Sequence, residues 1–265
     1  MFDTYIARWE LVPDGAPIIT HSSRLLPVIY RGEKAMLKVA VEAEEQLGGI
    51  LMEWWDGDGA ARVFRHDRPA LLIERAQGSR SLHEMAKTGR DDEATRILCE
   101  TAARLHAARN KPLPELLPLS QWFVELRETA EKYGGVILKS AAIARGLLAD
   151  QREITALHGD LHHDNVLDFG KRGWLAIDPK RLIGERGFDF ANIFCNPDFE
   201  VASAPGRLAR QASIVAEAAG IERRRLLQWI LAYVGLSAVW ILNSGEEERL
   251  DIDLAVAEIA AQALA

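Results

Sequence analysis

The feature that most constrains the fold is a change in hydrophobic pattern after residue 76 of this 265-residue chain. Up to that point the sequence contains four short apolar segments bounded by turn residues. They are LLPVIY (25–30), AMLKVAV (35–41), ARVFRHD (61–67) and ALLIERA (70–76). Such segments predict β-strands, and the glycine-containing turn RGEK joins the first two into a hairpin. The fourth is almost entirely apolar, which predicts an interior strand of the sheet.

Beyond ERAQGS (74–79) the apolar residues follow the spacing of amphipathic helices. Asp91 or Asp92 can cap a helix that continues through Leu105. Other helical segments are predicted at 42–55, 120–132, 137–149, 206–219, 223–242 and 251–264. The pattern therefore predicts an α+β fold with two lobes, a small, mainly β lobe at residues 1–76 and a larger, mainly α lobe at residues 77–265.

Charge and cysteine content narrow the class of partner. The net charge is −7, from 32 basic and 39 acidic side chains, which opposes binding to nucleic acid or to an anionic membrane and favours a small cationic ligand. Cys99 and Cys195 are too few for a disulfide framework, and the first residues show no secretory signal. We therefore expect a cytoplasmic protein. The sequence leaves its oligomeric state open.

One apolar segment resembles a membrane span in composition. LLQWILAYVGLSAVWIL (226–242) is 17 residues long. A helix of that length reaches roughly 26 Å, less than the ~30 Å hydrocarbon layer of a bilayer. Polar and small residues also interrupt it. We therefore expect a buried core helix.

The densest group of reactive side chains lies in HGDLHHDNVLDFGKRGWLAIDPK (158–180). This segment predicts a β-hairpin with its turn centred between Lys171 and Arg172. That register places Asn165 directly opposite Asp178, with Cβ atoms about 4.5–5.5 Å apart. An amide and a carboxylate at this separation suit Mg²⁺, which takes few protein ligands and keeps positions for water and phosphate. Asp160 precedes Asn165 by five residues and can reach the same cleft.

Phosphoryl transfer needs such a metal site, a carboxylate that orients the attacking hydroxyl, and a nearby cation. Asp160 and the hairpin supply the first two. Lys38, in the middle of a predicted strand, supplies the cation, and Glu44 is its preferred carboxylate partner, with Glu45 as the alternative. His158 is expected to brace the loop.

Two other classes of protein remain open from these residues alone. GDLHHD contains the Gly-Asp and Asp-x-His elements of metallophosphoesterases, although no Asn-His dipeptide supplies their further ligands. A kinase-fold binding protein without turnover is the second alternative. It would be expected to lack at least one of the four residues Lys38, Asp160, Asn165 and Asp178, all of which are present.

The segments HGDLHHDNVL, WLAIDPK and GERGFDFANIFCNP together resemble the aminoglycoside phosphotransferase family, specifically its streptomycin 6-phosphotransferase branch. The resemblance is dense over residues 155 to 200 and looser in the small lobe. It implies the bilobal protein-kinase-like fold, with ATP and Mg²⁺ as cofactors. On the matching positions it implies Asp160 as the catalytic aspartate, Asn165 and Asp178 as Mg²⁺ ligands, and Lys38 as the contact to the α- and β-phosphates.

The same resemblance implies supporting roles. Asp189 would brace the catalytic loop, and the backbones of Glu74 and Ala76 would hydrogen-bond adenine. The small lobe has no G-x-G-x-x-G motif, so Ser22 and Ser23 of the turn THSSR would cover the phosphates together with backbone N–H groups.

For the acceptor, the resemblance points to the 6-hydroxyl of the streptidine ring of streptomycin, whose two guanidinium groups favour carboxylate partners. The candidate partners are Glu185, Asp198, Glu200 and Glu247, the last within the run Glu246 to Glu248. Another aminoglycoside, hydroxyurea or an endogenous polyol is the alternative acceptor.

Overall fold

A six-stranded antiparallel sheet forms the smaller lobe. The structure is a computed structural model that describes residues 1–42, 46–245 and 250–265. The strands are β1 (Val12–Pro13), β2 (Ile18–Ile19), β3 (Ser23–Tyr30), β4 (Glu33–Ala40), β5 (Val63–Asp67) and β6 (Ala70–Glu74). They are ordered β1-β3-β4-β6-β5, and β2 also pairs with β3. The four predicted strands and the interior position of β6 are therefore confirmed.

The β3–β4 hairpin directs Lys38 towards the larger lobe. All eight residues of each strand are paired, and Arg31 and Gly32 form the turn with positive φ angles of 51° and 83°. Leu37 and Val39 of β4 pack in a cluster with Trp9 of helix α1 (Asp3–Trp9). Because side chains alternate along a strand, Lys38 lies on the opposite face of the sheet.

Helices form most of the larger lobe. They are α3 (Leu82–Met85), α4 (Asp91–His106), α5 (Leu119–Trp122), α6 (Val124–Tyr133), α7 (Gly135–Ala149), α8 (Phe199–Ala202), α9 (Arg207–Ala219), α10 (Arg223–Ser244) and α11 (Leu250–Leu264), while α2 (Gly48–Trp55) belongs to the smaller lobe. Five strands accompany them, namely β7 (Leu117–Pro118), β8 (Ile154–Leu157), β9 (Val166–Asp168), β10 (Trp174–Ala176) and β11 (Leu182–Glu185). The predicted α+β class with two lobes is confirmed.

Helix α10 is the central helix of the larger lobe. By length and composition it is the one helix in the described ranges that could cross a membrane, but most of it is buried, and it packs against α7 and α11. The largest fully buried side chains of the molecule include Trp229 of this helix. The prediction of a buried core helix at 226–242 is confirmed.

Two predicted helix starts differ from the structure. Helix α2 begins at Gly48, and residues 43–45 of the predicted 42–55 helix lie outside the described residues. Arg90 occupies the N-cap position of α4, because Gly89 with φ 86° interrupts the preceding turn. The Asp91 carboxylate does not cap the helix, since it accepts hydrogen bonds from Arg207 at 2.9 and 3.0 Å.

The two lobes meet at the β9–β10 hairpin. The Ala176 N–H donates to Gly59 O (2.9 Å), and the Ala61 N–H donates to Ala176 O (2.9 Å). An apolar cluster also spans this junction and includes Met52 and Ile73 from the small lobe with Leu175 from the hairpin. These contacts hold the hairpin residues that carry the polar site against the sheet.

Candidate active site

The hairpin between Asn165 and Asp178 has a different register from the predicted one. Trp174 pairs with Asp168 and Ala176 with Val166. The turn is a three-residue 3₁₀ segment, Gly170–Arg172, so it is centred on Lys171 and shifts the pairing by one residue. Ile177, whose N–H donates to Asn165 O at 2.9 Å, therefore lies opposite Asn165. The predicted direct pairing of Asn165 with Asp178 is wrong, because the loop has an odd number of residues.

Asp178 nevertheless faces the small lobe. It lies two residues beyond the end of β10 and has a left-handed φ of 59°, so strand alternation no longer sets the direction of its side chain. Its Oδ1 is 2.7 Å from Lys38 Nζ. The Lys38 side chain is only 7% exposed, so this ion pair joins the two lobes at the bottom of the cleft.

Asn165 and Asp178 offer the hard oxygen donors that Mg²⁺ prefers, so these residues fit the ion. The Nδ2 of Asn165 donates to the Asp160 carbonyl oxygen (2.8 Å) and to Asp160 Oδ2 (3.2 Å). Since Asp160 holds the amide nitrogen of Asn165, the amide oxygen points away from Asp160. The second carboxylate oxygen of Asp178, which is not the one paired with Lys38, would be the other donor.

Asp160 is held by amides on both of its carboxylate oxygens. Asn192 Nδ2 donates to Asp160 Oδ1 at 2.8 Å, while Asn165 approaches Oδ2. His162 Nε2 lies 3.9 Å from Oδ1. The Asp160 side chain is 28% exposed, so the carboxylate keeps lone pairs open to the cleft.

Asp189 fixes the backbone that carries Asp160. It lies in the 3₁₀ segment Arg186–Cys195, and its carboxylate accepts from the backbone N–H groups of His158 (2.8 Å) and Gly159 (2.7 Å). Its Oδ2 also lies 2.8 Å from His106 Nε2 at the end of α4. These bonds connect the start of the loop that carries Asp160 to two other elements of the larger lobe.

The His158 ring is part of the same support. It is fully buried, which lowers the pKa of the imidazole and keeps it neutral. Its Nε2 lies 2.8 Å from Ile177 O, and its Nδ1 accepts from the Asp160 N–H at 3.2 Å. This pattern requires the tautomer with its proton on Nε2. Gly159 has φ 81°, and a Cβ there would lie 2.8 Å from the Leu182 side chain, so a glycine is required.

The small-lobe residues predicted to cover the phosphates lie at the start of β3. Ser22 precedes β3 and Ser23 is its first residue, and the Ser22 carbonyl accepts from Val41 N–H at 2.8 Å. The Ser23 hydroxyl is buried and has no hydrogen-bond partner among the described residues. Glu44 and Glu45 lie outside the described residues.

The predicted adenine contacts lie where β6 leads into the larger lobe. The Glu74 N–H donates to Arg62 O (2.8 Å), and the Glu74 carboxylate pairs with Arg172 and Arg62, so this side chain is engaged within the protein. Ala76 packs against the apolar cluster that spans the two lobes. The main chain of this segment therefore lies beside an apolar surface.

A cavity of about 310 Å³ opens beside Asp160 in the larger lobe. Its lining residues are Asp160, His162, Asn192, Cys195, Asn196, Tyr233, Ser237, Trp240, Ile241, Ile252 and Asp253. Among these described residues there are two carboxylates and no Lys or Arg. The wall also carries the aromatic rings of Tyr233 and Trp240. The cavity is therefore suited to a cation with hydroxyl groups.

Glu185, a predicted substrate carboxylate, is not among the residues that line this cavity. Its carboxylate is buried and accepts from Arg225 at 2.7 and 2.6 Å and from Trp229 Nε1 at 2.8 Å. Burial alone would raise the pKa of Glu185, but these hydrogen bonds outweigh it and lower the pKa. The carboxylate is thus committed to an internal ion pair.

Two of the other predicted substrate carboxylates, Asp198 and Glu200, are also absent from the cavity wall. Asp198 caps α8 by accepting from the Val201 N–H (3.0 Å) and pairs with Lys87 at 3.0 Å. Glu200 lines a separate surface cleft with Lys87. Glu247 lies outside the described residues.

Four residues of the site were missed by sequence reasoning: His106, Asn192, Asn196 and Asp253. Asn192 and Asn196 lie within GFDFANIFCNP, but the spacing of polar residues there does not show which of them face Asp160. His106 and Asp253 lie far from the motif in sequence, and only tertiary packing brings them to it. No local signal identifies either residue.

Comparisons with known proteins identify the family of this chain. Residues 8–245 match the model of the aminoglycoside/hydroxyurea antibiotic resistance kinase family. A streptomycin 3″-kinase from Klebsiella pneumoniae is 53% identical over 97% of this chain and 99% of its own length. A streptomycin 6-kinase from Streptomyces griseus is 31% identical over 97% of this chain and 87% of its own.

Solved structures show the same fold. A crystal structure of the aminoglycoside phosphotransferase APH(4)-Ia has a TM-score of 0.68 at 16% identity and covers 99% of this chain and 98% of its own. A thermostable mutant of that enzyme, solved as a ternary complex with ADP and hygromycin B, has a TM-score of 0.67 at 14% identity and covers 98% of this chain and 97% of its own. The chain adopts the protein-kinase-like fold, and it belongs to the aminoglycoside/hydroxyurea antibiotic resistance kinase family.

Proposed function

We propose that this protein transfers the γ-phosphoryl group of ATP to a hydroxyl of streptomycin. The observation that carries the proposal is the position of Asp160. Its carboxylate lines an acidic cavity, and Asn165 ties it to the loop that leads to the Lys38–Asp178 ion pair. A nucleotide bound between the lobes and a cation bound in the cavity would thus meet at Asp160.

The residues on the nucleotide side each have a defined task in this proposal. Lys38 neutralises charge on the α- and β-phosphates and is held in place by Asp178. Asn165 and Asp178 would hold Mg²⁺, which supplies charge neutralisation on the phosphates. The Ser22–Ser23 turn covers the phosphates, and the main chain of Glu74 and Ala76 hydrogen-bonds adenine.

Asp160 acts on the acceptor. Its carboxylate accepts a hydrogen bond from the attacking hydroxyl and orients the oxygen towards the γ-phosphorus, and the proton passes to Asp160 as the new P–O bond forms and ADP leaves. Asp189 and His158 hold the backbone on which Asp160 sits, which keeps the carboxylate at a fixed distance from the phosphates.

The cavity wall supplies acceptor recognition. In place of the carboxylates predicted from the sequence, Asp253 of α11 lies on the cavity wall and would bind a guanidinium or ammonium group. Trp240 would contact the same cation through its ring face. Its ring is already fixed by an edge-to-face contact with Trp122, at a centroid distance of 5.2 Å.

The hydroxyl that is phosphorylated is a separate question. The motif resemblance predicted the 6-hydroxyl of the streptidine ring. The 53% identity to a streptomycin 3″-kinase, against 31% to a streptomycin 6-kinase, supports the 3″-hydroxyl instead. We therefore propose the 3″-hydroxyl and keep the 6-hydroxyl as the alternative position. ATP is available in the cytoplasm, so the reaction fits the cytoplasmic location expected from the sequence.

The metallophosphoesterase alternative has less support. Such enzymes need several metal ligands around the Asp-x-His element. Within residues 1–42, 46–245 and 250–265, no group of three or more His, Cys, Asp or Glu side chains is arranged to hold a metal ion. The family match supports a kinase as well.

The proposal is tested by measuring acceptor-dependent ADP release from ATP and Mg²⁺ with purified protein. The acceptors are streptomycin, hygromycin B and hydroxyurea, with Asp160→Ala as the background control. We expect turnover with streptomycin that exceeds the control by at least about 100-fold. Two-dimensional ³¹P–¹H NMR of the product then identifies the phosphorylated position. A rate with streptomycin no higher than the Asp160→Ala background would overturn the proposal, and a 6-phosphate product would overturn the 3″ assignment.

A further inference from the structure

A pair of buried asparagines lies between Asp160 and the wall of the acceptor cavity. Asn192 and Asn196 are only 6% and 5% exposed, and both line the cavity. They lie four residues apart in and just after the 3₁₀ segment that also carries Asp189. The proposed reaction gives neither of them a task.

The hydrogen bonds of this pair run from Asn196 through Asn192 to Asp160, with each amide donating to the next residue. Asn196 Nδ2 donates to both the backbone carbonyl and the side-chain Oδ1 of Asn192, each at 2.9 Å. Because Oδ1 of Asn192 accepts this bond, the Nδ2 end of the same amide must face the other way. That end donates to Asp160 Oδ1 at 2.8 Å.

The direction matters because the two ends of an amide have opposite effects on a carboxylate. Its N–H donor stabilises a particular orientation of Asp160, whereas its oxygen would repel the carboxylate. Asn165 already approaches Oδ2 of Asp160. With Asn192 on Oδ1, each carboxylate oxygen has one fixed donor, and the remaining lone pairs face the cavity where the acceptor hydroxyl must arrive.

We propose that Asn192 and Asn196 form a positioning relay, in which Asn196 fixes the amide of Asn192 and Asn192 fixes the rotamer of the catalytic aspartate. Neither residue exchanges a proton or contacts the phosphates. The relay rests on the proposed role of Asp160 as the group that orients the acceptor hydroxyl. We expect the relay to affect kcat. A misplaced Asp160 carboxylate reduces stabilisation of the transition state more than it reduces the binding of either substrate.

The relay makes a specific prediction for a double-mutant cycle. We expect Asn192→Ala to lower kcat by about 100-fold, and Asn196→Ala, which only frees the Asn192 amide to turn, to lower it by about 10-fold. In both variants KM for ATP and for streptomycin stays within about threefold of the wild type. Since Asn196 acts only through Asn192, the double variant should be no slower than Asn192→Ala alone.

Two further variants separate positioning from folding. Asn192→Asp has nearly the same shape as asparagine but offers no N–H to Asp160, so its kcat is expected to fall at least as far as that of Asn192→Ala. Asn110→Ala, at an exposed asparagine in the loop after α4, is the matched control and should keep wild-type kcat. Thermal unfolding and ATP affinity, measured for every variant, identify any that have lost the fold.

The outcomes are distinct. A wild-type kcat in folded Asn192→Ala or Asn192→Asp would overturn the relay, and so would a double variant whose loss equals the product of the two single losses. If instead Asp160→Ala is fully active, the proposed function fails first, and the relay fails with it. A dead Asp160→Ala beside an unaffected Asn192→Ala would reject the relay alone.

Discussion

Among single residues, the proposed reaction depends most on how the carboxylate of Asp160 is held. Asp160 receives amide donors on both oxygens, and its backbone is fixed through Asp189 and His158. Such fixed surroundings are what a phosphotransferase needs, because the protein contributes mainly position and charge to the reaction. The cavity beside Asp160 adds a second carboxylate, Asp253, which has no part in that support.

The proposed role of Asp253 leads to a prediction about acceptor binding. Asp253→Asn keeps the shape of the side chain and removes its charge, which replaces a charge-assisted hydrogen bond by a weaker neutral one. We expect KM for streptomycin to rise about tenfold, equivalent to roughly 1.4 kcal/mol, while KM for ATP is unchanged. Steady-state kinetics with each substrate varied in turn measure both constants.

Asp251→Asn is the matched control for this prediction. Asp251 lies on the same helix, α11, but is exposed and absent from the cavity wall. Its KM values should remain those of the wild type. If the two variants have the same KM for streptomycin, Asp253 does not bind the acceptor.

The sequence allowed candidate residues to be predicted within the motif, but not the hairpin register or the residues that line the cavity. Asp160, Asn165 and Asp178 could be predicted as candidates because their spacing along the chain matches a known loop-and-hairpin pattern, and their proposed roles stay predictions. The hairpin register was wrong because one additional turn residue changes every pairing, and sequence patterns do not determine loop length to one residue. The position of Asp253 on the cavity wall could not be predicted, since an acidic residue that faces a cavity looks the same in sequence as one that faces solvent.

At the scale of elements, an internal ion pair connects β11 to α10. Glu185, the last residue of β11, accepts from Arg225 in the first turn of α10 and from Trp229 one turn later. The Arg152 N–H adds a fourth hydrogen bond to Glu185, at 2.9 Å. These contacts anchor the central helix to β11, the middle strand of a three-stranded sheet with β7 and β8. Strand β8 leads directly into the loop that carries Asp160.

Breaking this pair is predicted to cost stability without a specific effect on acceptor binding. Glu185→Ala leaves the Arg225 guanidinium buried without its carboxylate, and removal of one partner of a buried pair typically costs about 3–5 kcal/mol. Urea unfolding measures the free energy of unfolding. The control, Glu217→Ala on the exposed face of α9, should stay within about 0.5 kcal/mol of the wild type.

The kinetics of the folded fraction distinguish this role from the one predicted from sequence. If Glu185 only anchors α10, KM for streptomycin should be unchanged in the variant under conditions where it is folded. A large rise in KM with normal stability would mean that Glu185 binds the acceptor after all.

At the scale of the whole molecule, the two lobes were predictable because a period-two pattern and a 3.6-residue pattern occupy separate parts of the chain. The contact between the two lobes could not be predicted. The β9–β10 hairpin joins the lobes through backbone bonds to Gly59 and Ala61, which no hydrophobic pattern reveals. Gly48 also lies against the Pro179 carbonyl, where a Cβ would come within 2.3 Å of the oxygen. The cleft therefore depends on close backbone contact between α2 and the loop of Asp178.

We propose that this cleft carries out phosphoryl transfer with Asp160 orienting the acceptor. Single-turnover transfer from ATP to streptomycin by Asp160→Asn, combined with calorimetric binding of each substrate, tests this role. Asp164→Asn, at an exposed aspartate of the same loop, is the control. We expect a rate lower by about 10²–10⁴ in Asp160→Asn with both dissociation constants nearly unchanged, and a wild-type rate in the control. A wild-type rate of transfer in Asp160→Asn would show that Asp160 does not orient the acceptor.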